Sequence, residues 1–384
     1  MSTNSAQKFD YVFLGAGCAA LSIVVRMIKS NRFSDKKILL IDKAQKNSND
    51  RTWCFWEKQK GFFEDIVYKK WETLNFYSPY FSSGLNISPY TYKMIRGIDF
   101  YNYCFSEIRK HSNIAIQYCD IRNIACEDDK VIIDCGDEKL CIHDSIVFNS
   151  IYKPLNTSGR KAISLLQHFK GWMIETEGAC FDPSIATLMD FRVAQNYGTT
   201  FAYALPFERN KALIEFTLFT EKVLESQRYD EGLKNYIGSM LKIKNYKITA
   251  EEFGIIPMTT ESFQFYKNGI YHIGTAGGQT KASSGYTFQF IQKQSDAIVD
   301  CLVNNRSLSH LPLTNKRFHF YDAVLLRILK EKKLGGDKIF SQLFKKNKPV
   351  LVFKFLDNET SLMEELRLIS SLPTIPFLKA AIKI

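Results

Sequence analysis

A chain of 384 residues, 45% hydrophobic and 14% aromatic, can bury a large core, which excludes disorder and allows one large or two intertwined domains. The formal charge of +11 comes with no nucleic-acid recognition motif, so nucleic acid is not an expected partner; a solvated basic surface, an anionic membrane and a phosphorylated ligand stay open. Nine cysteines without CxxC and six histidines without HxxH or HxxxH exclude a zinc site and a disulfide scaffold, and imply a reducing, cytoplasmic compartment.

Residues 1–8 are short and polar, unlike a signal peptide, and no uncharged apolar run reaches the ~18 residues of a spanning helix. A buried strand over 10–14 ends in Gly15-Ala16-Gly17-Cys18-Ala19-Ala20. An amphipathic helix over 19–30 follows, with Leu21, Val24, Val25 and Ile28 at helical spacing. A second buried strand, 37–41, closes on Asp42. Each position answers a separate demand. Gly15 makes the tight turn, Gly17 lets backbone approach a pyrophosphate, and Ala20 is the third small residue that packs helix on strand. The helix N-terminus offers free N–H groups to phosphates, and Asp42 can accept from ribose hydroxyls. This order predicts a dinucleotide-binding βαβ unit, with the acid favouring FAD or NAD over NADP.

The patch Thr52-Trp53-Cys54-Phe55-Trp56-Glu57 is too aromatic for an ordinary connection. A helix over 99–111 precedes four β runs, 114–118, 121–126, 131–134 and 145–149, which read as a meander. This resembles flavoproteins in which a small antiparallel layer covers the nucleotide sheet. Strands over 171–177, 186–193, 200–205 and 212–220, with a helix over 223–240, form an inserted substrate domain. A strand over 271–274 runs into Gly274, Gly277, Gly278 and Gly285, then a helix over 285–302. This second glycine segment has the form of a flavin-contacting motif, a bare strand-to-helix connection being the alternative. The last ~80 residues read as mostly helical apart from an apolar stretch at 350–355. The expected division is a discontinuous nucleotide domain (8–60, 95–150 and 254–305), a substrate domain (61–94 and 151–253) and a helical region (306–384).

Several segments in order resemble the bacterial lycopene cyclase family. They are 10–21, Arg51-Thr52-Trp53-Cys54-Phe55-Trp56, Phe181-Asp182-Pro183 leading to Leu188-Met189-Asp190-Phe191-Arg192-Val193, Ala204-Leu205-Pro206, Leu213-Ile214-Glu215-Phe216-Thr217, Gly254-Ile255-Ile256-Pro257-Met258 and 274–286. The resemblance reaches to about residue 305 and is looser beyond. It implies an α/β, FAD-binding Rossmann-like flavoprotein fold of the glutathione-reductase and hydroxylase type, with a nested antiparallel β-sheet substrate domain. It also implies a redox-neutral isomerase (intramolecular lyase) that cyclises the ψ-ends of lycopene to β-ionone rings, with FAD reduced by NAD(P)H.

Glu215 matches the family's central carboxylate. Burial in an apolar strand raises a carboxyl pKa and suits a general acid, whereas an edge-strand Glu facing solvent is the other reading. Asp190 and Arg192 point to one side of their strand, either lining the site and orienting Glu215 or forming a structural salt bridge. Trp53, Phe55 and Trp56 either face the polyene and a carbocation or pack in the core. The apolar and basic C-terminal part, including Lys345, Lys346, Lys348 and residues 372–378, is either a docking surface on the inner face of the membrane or a helical cap. Thr275 stands where flavin hydroxylases and reductases usually carry Asp, and no Pro follows in Lys281-Ala282-Ser283-Ser284. That departure speaks against the competing reading, a redox flavoenzyme such as an isoprenoid reductase or hydroxylase. A carotenoid carrier without catalysis is the third reading.

Overall fold

The computed structural model describes residues 8–127, 130–136, 138–154, 162–311 and 316–384. A six-stranded sheet runs in the order Tyr266–Lys267, Ile270–His272, Ile146–Asn149, Tyr11–Leu14, Ile38–Asp42, Ile114–Tyr118, parallel except for its first pair. Tyr11–Leu14 and Ile38–Asp42 are buried at every position because both faces are covered. On one face Phe13 and Leu40 meet the helices Cys18–Lys29, Gly97–Ile108 and Phe288–Val303. On the other, Val12, Leu14, Leu39 and Ile41 pack against Val131 and Ile133 of a three-stranded antiparallel layer.

That layer corrects the expected meander. It consists of Asn123–Glu127, Lys130–Asp134 and Lys139–Ile142, while Ile114–Tyr118 and Ile146–Asn149 leave it to join the parallel sheet. Cys119 and Cys135 are joined by a disulfide, a pairing that no spacing in the chain suggested.

A seven-stranded sheet follows the order Tyr246–Thr259, Ser164–Thr176, Lys211–Thr220, Thr199–Glu208, Ile185–Asp190, Thr73–Tyr77, Ser82–Asn86. Its first strand continues to Thr259, so the boundary expected at 253/254 falls inside one strand. One face carries Ser226–Asn235 with the π-helical turn Tyr236–Met240; the other carries the C-terminal helices, through Phe191, Phe201, Phe340 and Phe344. The apolar 350–355 stretch belongs to a helix, Pro349–Leu356, with Pro349 in the first turn where its missing N–H costs nothing. A smaller sheet, Thr52–Glu57, Thr91–Arg96, Lys69–Trp71, bridges the two large ones.

Candidate active site

A cavity of ≈ 770 Å³ lies between the two large sheets, within the range of cofactor and ligand sites. Its nucleotide end is built by the first βαβ turn. Gly15 holds φ at +90°, and a Cβ there would lie 2.5 Å from Ser150 Oγ. Above Gly17 no atom lies within 4 Å of a notional Cβ, so the backbone is open to the cavity at the N-terminus of Cys18–Lys29. Ala20 is fully buried behind it. Asp42 lines the cavity, and its carboxylate accepts from the Ala16 and Ala44 N–H groups at 2.7 and 3.2 Å and pairs with Lys46 at 3.0 Å. It therefore braces the glycine turn as well as facing the cavity. Lys43 and Arg51 also reach the wall, a cationic setting suited to phosphates.

The late glycine segment is divided. Gly274 and Gly285 line the cavity with Thr275, and a Cβ on Gly274 would come 2.8 Å from that of Ala19. Gly277 and Gly278 do not line it; they pack against the His272 carbonyl and the Phe263 ring. Their part is the turn itself rather than the wall.

At the other end of the cavity a row of residues crosses four strands. Tyr203 pairs with Glu215, Glu215 with Gly171, and Gly171 with Glu252, so all four emerge on one face. Gly171 has no side chain to separate the two glutamates. A Cβ there would lie 2.9 Å from Glu252 Cγ and 3.1 Å from Glu215 Cγ. Both carboxyls line the cavity. Burial, and next the negative charge of Glu252, hold Glu215 well above the usual carboxylate range. Burial also raises Glu252, partly offset by the hydrogen bond it accepts from Thr52 Oγ1 at 2.7 Å. Both carboxyls therefore hold a proton more tightly than an exposed glutamate does.

Tyr92, Tyr203, Tyr286 and Trp53 line the cavity, and Tyr203 and Tyr286 lie close enough to Glu215 to interact with its charge. Burial raises all three phenols, so they stay protonated. None of these tyrosines, nor Glu252, was signalled by the sequence. Of the three aromatics in the 52–57 patch, only Trp53 reaches the cavity. Phe55, on the same face of the strand as Trp53, stacks on Phe288 (4.4 Å), and Trp56, on the opposite face, stacks on Phe353 (4.7 Å), both in the core.

Asp190 and Arg192 are likewise placed elsewhere. Asp190 pairs in register with Ala202, whose neighbour Tyr203 faces Glu215, so Asp190 points to the opposite face of the sheet. There it is fully buried and accepts from Arg192 Nε at 2.9 Å and Tyr236 OH at 3.1 Å. The salt-bridge alternative is the one this geometry matches. Asp190→Ala is expected to cost about 2 kcal/mol, less than a fully buried pair because Arg192 is partly exposed, with activity per folded molecule retained. Denaturant titration alongside an activity assay checks it.

The fold is shared with solved structures of low identity. A geranylgeranyl bacteriochlorophyll reductase-like protein from Thermoplasma acidophilum superposes with a TM-score of 0.64 at 12% identity, covering 98% of this chain and 100% of that one. The flavin-dependent brominase Bmp2 gives 0.60 at 13%, covering 98% and 99%. The p-nitrophenol 4-monooxygenase PnpA from Pseudomonas putida gives 0.61 at 9%, covering 98% and 97%. No curated protein sequence matches the chain. The family model described as lycopene cyclase protein matches residues 10–382, nearly the whole length, and the chain belongs to the lycopene cyclase family.

Proposed function

We infer that the protein is an FAD-dependent lycopene β-cyclase. The observation that carries this reading is a buried Glu215, its carboxyl held above the usual range by burial, lining the same cavity as the Gly15–Gly17 turn. In that cavity the Gly15–Gly17 turn and the helix N-terminus would hold the pyrophosphate, Asp42 the adenosine ribose, and the Gly274–Thr275 and Gly285 backbone the flavin side. When bound and reduced by NAD(P)H, FAD supplies negative charge that stabilises a nearby carbocation. Gly15→Ala tests the cradle. The strain of a side chain at φ +90°, ~1–2 kcal/mol, together with the Ser150 clash, is expected to weaken flavin binding on the order of 10-fold or more, read by flavin fluorescence.

The proton that starts the cyclisation comes from the chain itself, and the one that leaves C6 must be taken up by a base. Glu215 gives its proton to C2 of a ψ-end, leaving a cation at C1. The C5=C6 π electrons close the C1–C6 bond, and loss of the C6 proton restores C5=C6 in the β ring. The rings of Tyr203 and Tyr286, beside Glu215, attract the passing positive charge without capturing it as a nucleophile would. No electron is gained or lost. Anaerobic incubation with lycopene and chemically reduced flavin is expected to give a cyclic product of unchanged mass. A product differing by two hydrogens or one oxygen would instead favour the reductase and hydroxylase chemistry named for the structural neighbours.

Lycopene resides in membranes, and the last two helices offer a surface for meeting one. No helix among the described residues is long and apolar enough to cross a membrane. Leu362, Met363 and Leu366 on Leu362–Ser370, and Ile375, Leu378 and Ile382 on and just after Thr374–Ala381, expose their side chains, Met363 by 76% and Ile382 by 85%. Arg367 and Lys379 lie beside them, so the partner proposed is the anionic inner leaflet. Replacing Met363, Leu366 and Ile382 by Asp is expected to reduce co-sedimentation with phosphatidylglycerol-containing vesicles at least 10-fold without loss of fold. Unchanged sedimentation contradicts this surface.

A further inference from the structure

Each β ring requires two proton transfers, one to C2 and one from C6, and Glu215 accounts for the first. Glu252 lies beside it in the same row, across Gly171, and lines the same cavity. Its Oε2 accepts from Thr52, while its Oε1 is buried and has no hydrogen-bond partner among the described residues. A buried carboxylate oxygen left without a donor is costly, and such a vacancy is tolerated where a proton or ligand arrives during function.

We propose that Glu252 is the base of the cyclisation, taking the proton that leaves C6 and so fixing the new double bond at C5=C6. This rests on the cyclase reading of the same site. As the Glu215 O–H bond breaks, C2–H forms; as C6–H breaks, its electrons make C5=C6 and the proton ends on a Glu252 oxygen. Transfer of that proton across Gly171 to Glu215 restores the starting pair. The raised proton affinity of both carboxyls, caused first by burial, suits this sharing. Loss of a proton from C4 or from the C5 methyl group would give isomeric rings of equal mass. The position of the base therefore decides ring type, which a merely structural residue would not do.

The test uses the FAD-loaded, reduced enzyme with lycopene in vesicles, and separates products by ring type. Glu252→Gln is expected to slow β-ring formation on the order of 10²-fold and to raise the share of rings with the double bond elsewhere. Glu252→Asp, which keeps a base one methylene shorter, is expected to retain the β ring at a reduced rate. The assignment is overturned if Glu252→Gln matches the unaltered protein in rate and ring type. It is also overturned if both variants lose activity alike with flavin still bound. Ring formation by the unaltered protein, measured in parallel, separates failure of this assignment from failure of the cyclase reading.

Discussion

Glu215→Gln is expected to lower cyclisation by ~10²–10⁴-fold while flavin binding is unchanged. The amide preserves shape and the 3.4 Å contact with Thr217 but cannot protonate an alkene. A carotenoid carrier without catalysis predicts no change in product formation, so flavin absorbance and product yield together divide the readings. Stability should move the other way. The folded pKa of Glu215 lies above its unfolded value, so the folded state holds the extra proton between the two. Stability is then highest below the unfolded pKa and falls as pH rises through the folded one. Glu215→Gln removes that penalty, and its Tm is expected to exceed that of the unaltered protein at high pH but not at acid pH.

Gly171→Ala should be nearly as damaging although it removes no functional group. Its Cβ would meet Glu252 Cγ, Leu213 Cδ1 and Glu215 Cγ at 2.9, 3.0 and 3.1 Å. The two glutamate Cγ atoms sit near the roots of their side chains and cannot simply swing aside. Overpacking of this kind costs ~1–3 kcal/mol, and its relief must separate the two carboxyls. Separation weakens the Glu252 charge felt by Glu215, so more of Glu215 ionises at neutral pH and less acid is available. A drop in cyclisation of at least 10-fold is expected, with the activity profile displaced to lower pH. Unchanged activity and pH profile would mean that the row across the four strands tolerates a side chain and that the carboxyls work independently.

How much of this was legible in the sequence depends on how local each cause is. The Gly15–Ala20 turn, the helix Cys18–Lys29 and Asp42 follow one another along the chain, so their pattern could be read directly. Glu215 was legible as an acid in an apolar strand, but its burial required knowing that its strand is central, between Ser164–Thr176 and Thr199–Glu208. Glu252 was not legible. Glu251-Glu252 on an edge strand reads as solvent-facing, and only the register that sets it opposite Gly171 turns it inward. Asp190 and Arg192 show the same limit from the other side. The strand expected over 186–193 ends at Asp190, so Arg192 meets Asp190 from the turn that follows, and the face Asp190 takes is decided by Ala202 and Tyr236 far along the chain. The 349–356 helix was obscured because a short apolar run carries no period that separates helix from strand.

In the cyclisation a proton is added and another removed while the carbon skeleton keeps its electrons. Mass analysis of the carotenoid made by the reduced holoenzyme in D₂O tests this most directly. Because the carboxyl pair exchanges its proton with solvent between ring closures, the prediction is a cyclic product with one deuterium for each ring formed, and the mass of lycopene itself when the same reaction is run in H₂O. A product that has gained or lost two hydrogens, or gained oxygen, in H₂O would contradict it.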